Sequence, residues 1–253
     1  MPEPIQKGAF DATGPAGAPA IILLHGSSET RQMWQPQAHA LSNSFRVIAA
    51  DLPAHGSLAP VAFHMEDAVA RLAELVECEA RGPAILVGIS LGGYVAMEFA
   101  VRHPKRAAGL VLMSCTGEPT SIGAALYWAG TWVMSVAPIA WLAGLKRSLA
   151  RFLYPSACHL LTGYYFRGGA QGIREVLWKS YIEKVRGYPG PILFINGSRD
   201  LPFRTSERRF LAAARQGRLE VIRRAYHVCN LDDPARATSA IRSFAESIAS
   251  VRA

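Results

Sequence analysis

Cysteine is scarce in this chain, and its spacing excludes two classes of small, cross-linked protein. The 253 residues include only four cysteines, and no two of them have Cys-x-x-Cys spacing. A disulfide framework or a zinc ribbon needs more cysteines or closer pairs than this. The first residues also lack the basic segment followed by an apolar segment that marks a secretory signal. We therefore expect free thiols and a cytoplasmic location.

Charged residues are also few, at 18% of the chain, whereas 50% of the residues are hydrophobic. This balance excludes a largely disordered protein and provides a sizeable core. The net charge is +8, yet no run of Lys or Arg exceeds two residues and no nucleic-acid motif is present, so we expect no nucleic-acid partner. Residues 117–189 contain eight basic and three acidic residues, which account for five of the eight net charges. We favour a solvated basic surface, with attraction to an acidic carrier protein, an anionic substrate or a membrane surface as the alternative.

Short apolar runs alternate with amphipathic stretches along most of the chain. Each run is too short for a helix and lacks alternation with polar residues, which is typical of strands buried on both faces. The repeated strand–helix order predicts an α/β fold, a mostly parallel sheet with helices on both faces. These runs are residues 20–24, 45–50, 83–88, 107–113 and 191–195, and residues 219–222 are predicted as a further short apolar strand.

Residues 117–189 break this alternation and predict an insertion. The segment has no clear strand and holds four of the five tryptophans. No charged residue occurs from Pro119 to Leu145, which is long enough to consider a membrane span. A single crossing would separate the strands on either side and prevent one sheet. We therefore expect an all-helical cap over residues 117–189, with two helices divided near Pro138, on a core of residues 1–116 and 190–253. A cap that rests on a membrane interface is the less favoured interpretation.

One short motif carries the chemistry. Residues 88–92 read Gly-Ile-Ser-Leu-Gly, directly after a predicted strand and before a predicted helix. A G-x-S-x-G motif in that context places its serine on a sharp strand-to-helix turn with a strained backbone. Ser90 is therefore the candidate nucleophile. The backbone N–H of Leu91, at the start of the helix, is a candidate donor to the oxyanion.

A serine nucleophile needs a base and an acid that orients the base. His227 follows the 219–222 run and Asp200 follows the 191–195 run, so both are expected at the edge of the sheet where Ser90 lies. Glu118 is the reserve acid. The loop after the first buried run should supply the second oxyanion donor, with the N–H of Ser27 favoured over that of Ser28.

In identity and order, these motifs resemble the α/β-hydrolase fold superfamily, in its branch of small serine hydrolases. The resemblance covers nearly the whole chain outside the insertion. It implies a triad of Ser90, Asp200 and His227, an oxyanion hole from Ser27 and Leu91, and a helical cap. The matching segments are His25-Gly26, residues 51–56, residues 88–92, residues 196–200, and His227 with residues 230–234.

The chain departs from the family pattern at three places. Ala54 stands where the family usually has glycine, and Tyr226 stands where the family usually has the glycine before the histidine. The N-terminal segment is short, and residues 5–10 are the one candidate strand before Ala20. The sheet's usual first strand is therefore in question.

The expected reaction is hydrolysis of a carboxylic ester of an apolar small molecule through an acyl-serine intermediate, with no metal or organic cofactor. Twelve of the 23 aromatic residues lie in the cap, which favours an apolar substrate, and Trp128, Trp132 and His159 are the candidate substrate contacts. The motifs alone leave other reactions open. The alternatives are a thioesterase acting on a carrier- or CoA-linked acyl group, a C–C hydrolase or lyase, and a ligand receptor on the same fold.

Overall fold

The computed structural model describes residues 8–119 and 122–252 of the chain. A sheet of seven strands forms the centre of this described part. The strands are β1 (Phe10–Thr13), β2 (Ala20–Leu24), β3 (Arg46–Ala50), β4 (Ala84–Ile89), β5 (Ala107–Met113), β6 (Pro191–Gly197) and β7 (Gln216–Ile222). The helices are α1 (Gln35–Leu41), α2 (Met65–Leu75), α3 (Leu91–Arg102), α4 (Ile122–Val136), α5 (Ile139–Leu153), α6 (Phe166–Val176), α7 (Tyr181–Gly187), α8 (Leu201–Arg204), α9 (Glu207–Ala213), α10 (Cys229–Asp232) and α11 (Pro234–Arg252).

The central strands are buried on both faces, which explains their continuous apolar runs. In β2 the side chains of Ile22 and Leu24 join the core layer on one face of the sheet, together with residues of α2 and α3. Ile21 and Leu23 join the layer on the opposite face, together with residues of α1 and α11. Successive side chains of a strand point to opposite faces, so a strand between two helical layers needs apolar residues at every position. The predicted fold class is confirmed.

The strand order is β1-β3-β2-β4-β5-β6-β7, and only β1 is antiparallel to its neighbour. All six predicted strands are present. The strand before Ala20 is also present, but it spans Phe10–Thr13 rather than residues 5–10. Residues 5–7 of that prediction lie outside the described residues. Asp11 and Thr13 of β1 are exposed, so this edge strand lacks the continuous apolar run that marks the others.

The register brings the carboxyl ends of β4, β5, β6 and β7 to one edge of the sheet. Ile89 pairs with Met113, Met113 with Ile195, and Ile195 with Glu220. Neighbouring strands lie about 4.8 Å apart, so the ends of β4 and β6 are separated by about 10 Å. The loops that follow these strands therefore face one another across a distance that side chains can span.

The chain between β5 and β6 contains the four helices α4 to α7. Helix α4 ends at Val136 and α5 begins at Ile139, close to the predicted division at Pro138. In the described ranges, no helix has both the length and the apolar character that a membrane crossing requires.

A pair of glycine substitutions tests the packing of the turn after β4. A Cβ atom on Gly88 would lie 2.3 Å from the carbonyl oxygen of Gly92, whereas a Cβ atom on Gly130 in α4 would meet nothing within 4 Å. We expect Gly88→Ala to lower the free energy of unfolding by about 3 kcal/mol or more, because backbone atoms must move. Gly130→Ala, the control, should raise it by about 0.5 to 1 kcal/mol. Urea unfolding followed by circular dichroism measures both, and equal midpoints would contradict this packing.

Candidate active site

Ser90 lies on the turn between β4 and α3 in a backbone conformation that few non-glycine residues adopt. Its φ is 51° and its ψ is −118°. Such a conformation costs on the order of 1–3 kcal/mol and persists only where the surroundings enforce it. The Ser90 N–H donates to the carbonyl oxygen of Met113 at 2.9 Å. Close packing adds to this constraint, because a Cβ atom on Gly92 would lie 2.3 Å from the carbonyl oxygen of Leu24.

His227 and Asp200 form a hydrogen-bonded pair at the same edge of the sheet. The distance between Nδ1 of His227 and Oδ2 of Asp200 is 2.8 Å. A carboxylate accepts hydrogen bonds, so Nδ1 carries the proton and Nε2 is left as an acceptor. Asp200 is buried, and the ring of Phe203 lies 4.3 Å from the His227 ring, centroid to centroid. The two loops are joined directly by the Arg199 N–H, which donates to the carbonyl oxygen of Ala225 at 2.8 Å.

The loop after β2 lies against the Ser90 turn. A Cβ atom on Gly26 would lie 3.6 Å from the Cβ of Ser90. The Ser28 N–H donates to Nε2 of His55 at 3.1 Å, so it is engaged within the protein. Among the described residues, the N–H groups of Ser27 and Leu91 have no protein acceptor. These two groups are therefore available to an oxygen atom bound beside Ser90.

His25 supports this loop from inside the protein. Its Nδ1 lies 2.8 Å from the carbonyl oxygen of Gly26, and its Nε2 accepts the N–H of Leu52 at 2.9 Å. The carbonyl requires a proton on Nδ1 and the N–H requires a free Nε2, so the ring is neutral with one defined tautomer. Burial lowers the pKa of His25 to about 4, which agrees with that neutral form.

His55 repeats this arrangement beside it. Its Nδ1 lies 2.8 Å from the carbonyl oxygen of Pro53, and its Nε2 accepts from Ser28. The His25 and His55 rings meet edge to face at 5.0 Å between centroids. Burial, followed by the neighbouring His25, lowers the pKa of His55 to about 3. Two neutral imidazoles thus hold the backbone on which Ser27 lies.

Glycines of α6 face the loop after β2 and the start of α3. A Cβ atom on Gly169 would lie 2.5 Å from Oγ of Ser27 and 2.4 Å from Oγ of Ser28. A Cβ atom on Gly172 would lie 2.5 Å from a methyl carbon of Leu91. Because glycine has no side chain, α6 can approach both segments that supply the available N–H groups, the loop after β2 and the start of α3.

A buried ion pair joins α5 to the same loop. The Lys146 ammonium contacts Oε1 of Glu29 at 2.5 Å and donates to the carbonyl oxygens of Ser28 and Gly163. The Gly163 N–H donates to the other oxygen of Glu29 at 3.3 Å. Burial raises the pKa of Glu29, and the Lys146 charge opposes that effect. Lys146 belongs to α5 and Glu29 to the loop after β2, so this ion pair couples the position of the helix to that of the loop.

The other candidates from the sequence lie elsewhere. Glu118 accepts the N–H groups of Tyr181 and Ile182 at the start of α7, so it is a helix cap rather than a partner of His227. Trp128 and Trp132 are 56% and 60% exposed, and His159 is exposed as well. Their role as substrate contacts stays a prediction.

Sequence reasoning missed Phe203, an aromatic neighbour of His227. Phe203 contacts the His227 ring directly, and the ring of Tyr127 on α4 meets Phe203 at 5.8 Å between centroids. Phe203 follows Asp200 by three residues in a helical turn, a spacing that could have indicated it. Within residues 8–119 and 122–252, no three His, Cys, Asp or Glu side chains lie close enough to bind a metal ion.

The fold and this arrangement define a class of protein, an α/β hydrolase with a serine on a strained turn. A sequence model described as the alpha/beta hydrolase family matches residues 21–241. The chain therefore belongs to the alpha/beta hydrolase family.

Individual relatives show similarity over part or all of the chain. Lipase LipV of Mycobacterium tuberculosis is 38% identical over 101 residues, which is 40% of this chain and 38% of the relative. A pimeloyl-[acyl-carrier protein] methyl ester esterase of Vibrio campbellii is 38% identical over 96 residues, which is 38% of this chain and 37% of the relative. The matches thus span less than half of these relatives. The structure of a thermophilic esterase from Thermogutta terrifontis has a TM-score of 0.79 and 25% identity, over 95% of this chain and 93% of that one.

The two buried histidines predict acid sensitivity of the fold. Their pKa values in the folded protein, about 4 and about 3, lie below the ordinary 6.5, so the unfolded chain takes up protons first as the pH falls. The stabilisation that these groups contribute is therefore complete above pH 6.5. It is lost as the pH falls from 6.5 to about 4 for His25 and to about 3 for His55, by roughly 3 kcal/mol for His25 alone. Urea unfolding over this range measures the slope. His25→Gln should flatten it, whereas His159→Gln, which removes an exposed ring, should keep it. An unchanged slope in His25→Gln would contradict the argument.

Proposed function

We propose that this protein is a serine hydrolase that cleaves a carboxylic ester of an apolar small molecule. The observation that supports this proposal most strongly is the 2.8 Å pair of His227 and Asp200, located at the sheet edge where Ser90 sits on its strained turn. In the proposal Ser90 is the nucleophile, His227 is the general base, and Asp200 orients the ring.

The reaction would proceed in two halves. The Ser90 hydroxyl oxygen attacks the ester carbonyl carbon while Nε2 of His227 takes the hydroxyl proton. The resulting oxyanion accepts hydrogen bonds from the N–H groups of Ser27 and Leu91. The tetrahedral intermediate collapses, and the alcohol leaves with the proton from His227. Water then attacks the acyl-serine with the same base, which releases the carboxylic acid and restores Ser90.

Asp200 contributes through the charge that forms on its neighbour. When His227 takes the proton, the imidazolium is paired with the buried carboxylate at 2.8 Å. The carboxylate also fixes the tautomer that leaves Nε2 free to act as a base.

The surroundings of His227 support an apolar substrate. The Phe203 ring contacts the His227 imidazole, and the Tyr127 ring contacts Phe203. Aromatic side chains therefore lie next to the proposed base. The similar proteins include a lipase and an esterase by name, which agrees with hydrolysis of an ester.

A second candidate is hydrolysis of an acyl ester or thioester carried on an acidic protein. Residues 117–189 contribute five of the eight net positive charges, which would attract such a carrier. A similar protein is named as an esterase of an acyl-carrier-protein ester. Comparison of kcat/KM for one acyl group as a free ester, a CoA thioester and a carrier thioester separates the two candidates.

Removal of the proposed nucleophile tests the function. We expect Ser90→Ala to reduce kcat for a p-nitrophenyl ester by at least about 10⁴-fold, because the acyl-serine cannot form. Asp200→Asn should cost about 10³- to 10⁴-fold, since the amide no longer fixes the tautomer or the charge of His227. Initial rates with the purified variants provide the measurement.

The matched control is Ser156→Ala, at an exposed serine of the insertion, which should keep the parent rate. The fold of each variant is checked by its urea midpoint. A folded Ser90→Ala protein with the parent turnover would refute the proposal.

A further inference from the structure

Helices α4 and α5 present an unusual amount of apolar surface to the outside. Of the thirteen large hydrophobic side chains that are exposed among the described residues, eleven lie between Leu126 and Phe152 on these two helices. Exposed apolar patches of this kind mark sites of protein or membrane contact rather than ordinary surface. Tyr127 lies on Phe203 near the proposed base, and Trp128 and Trp132 are candidate substrate contacts, but the proposed reaction gives no role to the other eight.

The exposed residues of α5 form one stripe along the helix. Their spacing of i, i+4, i+8 and i+11 places them on a single face, and each is more than half exposed. The opposite face carries Leu142, Ala143 and Ala150, which are buried against the rest of the protein. The helix thus has two apolar faces, and only one of them is covered. The exposed stripe consists of Trp141, Leu145, Leu149 and Phe152.

Helix α4 carries a second exposed apolar row. Trp128, Trp132 and Val136 follow each other at intervals of four residues and are all more than half exposed. Val136 ends α4 and the exposed Ile139 begins α5, so apolar exposure continues through the corner between the helices. We call these outward faces of α4 and α5 the hairpin surface.

The charged residues of α4 and α5 themselves have one sign. No Asp or Glu occurs from residue 119 to residue 174 of the sequence. Arg147 and Arg151 lie one turn apart on α5, both exposed, next to the apolar stripe. Within the described residues neither arginine forms an ion pair. Tryptophan beside arginine, with no Asp or Glu on the helix itself, is the composition of a helix that lies in the interface of an anionic membrane.

We propose that the hairpin surface docks on an anionic lipid membrane, with its tryptophans at the level of the headgroups and Arg147 and Arg151 on the lipid phosphates. Each helix has 15 residues, below the roughly 20 that a crossing needs, so the contact is interfacial. A second copy of the chain would bring like charges together at the two arginines. An acidic protein would match the arginines but leave the row of tryptophans and leucines uncovered.

Helix α4, which carries part of the hairpin surface, also reaches the candidate active site. Tyr127 on α4 contacts Phe203, and Phe203 contacts His227. Helix α4 therefore takes part both in the hairpin surface and in the surroundings of the proposed base. The docking itself goes beyond the proposed hydrolysis and does not depend on it.

Vesicle flotation with the full chain tests the docking. The probes are vesicles of phosphatidylcholine alone and of phosphatidylcholine with an equal part of phosphatidylglycerol. We expect flotation with the anionic vesicles, a shift of tryptophan emission to shorter wavelength, and weaker binding at high salt. Use of the Ser90→Ala variant in parallel separates binding from turnover, because both proteins should float equally.

Matched variants locate the contact. The triple variant Trp128→Gln, Trp132→Gln, Trp141→Gln should lose flotation, whereas Trp178→Gln, at a tryptophan that is 59% exposed outside the two helices, should keep it. Arg147→Gln with Arg151→Gln should weaken binding by roughly tenfold to thirtyfold, since each basic residue near an anionic surface adds affinity. The control pair Arg208→Gln and Arg209→Gln, also exposed, should not.

Three outcomes would overturn the proposal. The first is absence of flotation with the anionic vesicles by the folded protein. The second is flotation that the tryptophan triple variant retains. The third is a dimer, or a complex with an acidic carrier protein, that the same variant abolishes while vesicles fail to bind. Circular dichroism and urea midpoints of each variant show that the fold is intact.

Discussion

The backbone of Ser90 is the constraint on which the rest of the site depends. A residue at φ 51° and ψ −118° would relax if its surroundings allowed it. Gly88 and Gly92 allow β2, β4 and the start of α3 to pack without space for relaxation, since a Cβ on either glycine would lie 2.3 Å from a carbonyl oxygen. Ser90 is thus held on this turn, directly before the first N–H of α3.

The loops around this turn are held by polar contacts inside the protein. His25 and His55 each accept one backbone N–H and donate to one carbonyl, so neutral imidazoles act as rigid supports rather than as acids or bases. The inserted helices add a second level of support, through the glycines of α6 and the pair of Lys146 with Glu29. The geometry near Ser90 is thus determined jointly by the sheet and by the insertion.

The sequence predicted the parts of this structure that depend on local pattern. Apolar runs located the five inner strands because double-sided burial requires them, and strand order predicted that Ser90, Asp200 and His227 lie at one edge. Contacts between side chains that are far apart in the chain leave no comparable pattern in the sequence. Strand β1, in which exposed and partly buried residues alternate, was predicted at residues 5–10 rather than at Phe10–Thr13. The contact of Phe203 with His227 was not predicted. The aromatic content of the insertion was apparent, but composition does not show that Trp128 faces outward.

The central claim, that Ser90 carries the acyl group during hydrolysis, is tested most directly by trapping that intermediate. The protein is mixed with excess p-nitrophenyl acetate, quenched in acid within the first turnover, digested, and analysed by mass spectrometry. We predict an acetyl group on Ser90 itself and a burst of p-nitrophenol equal to the enzyme concentration if deacylation is the slower step. An ester hydrolysed at the same rate with no acyl group on Ser90 at any quench time would contradict the account.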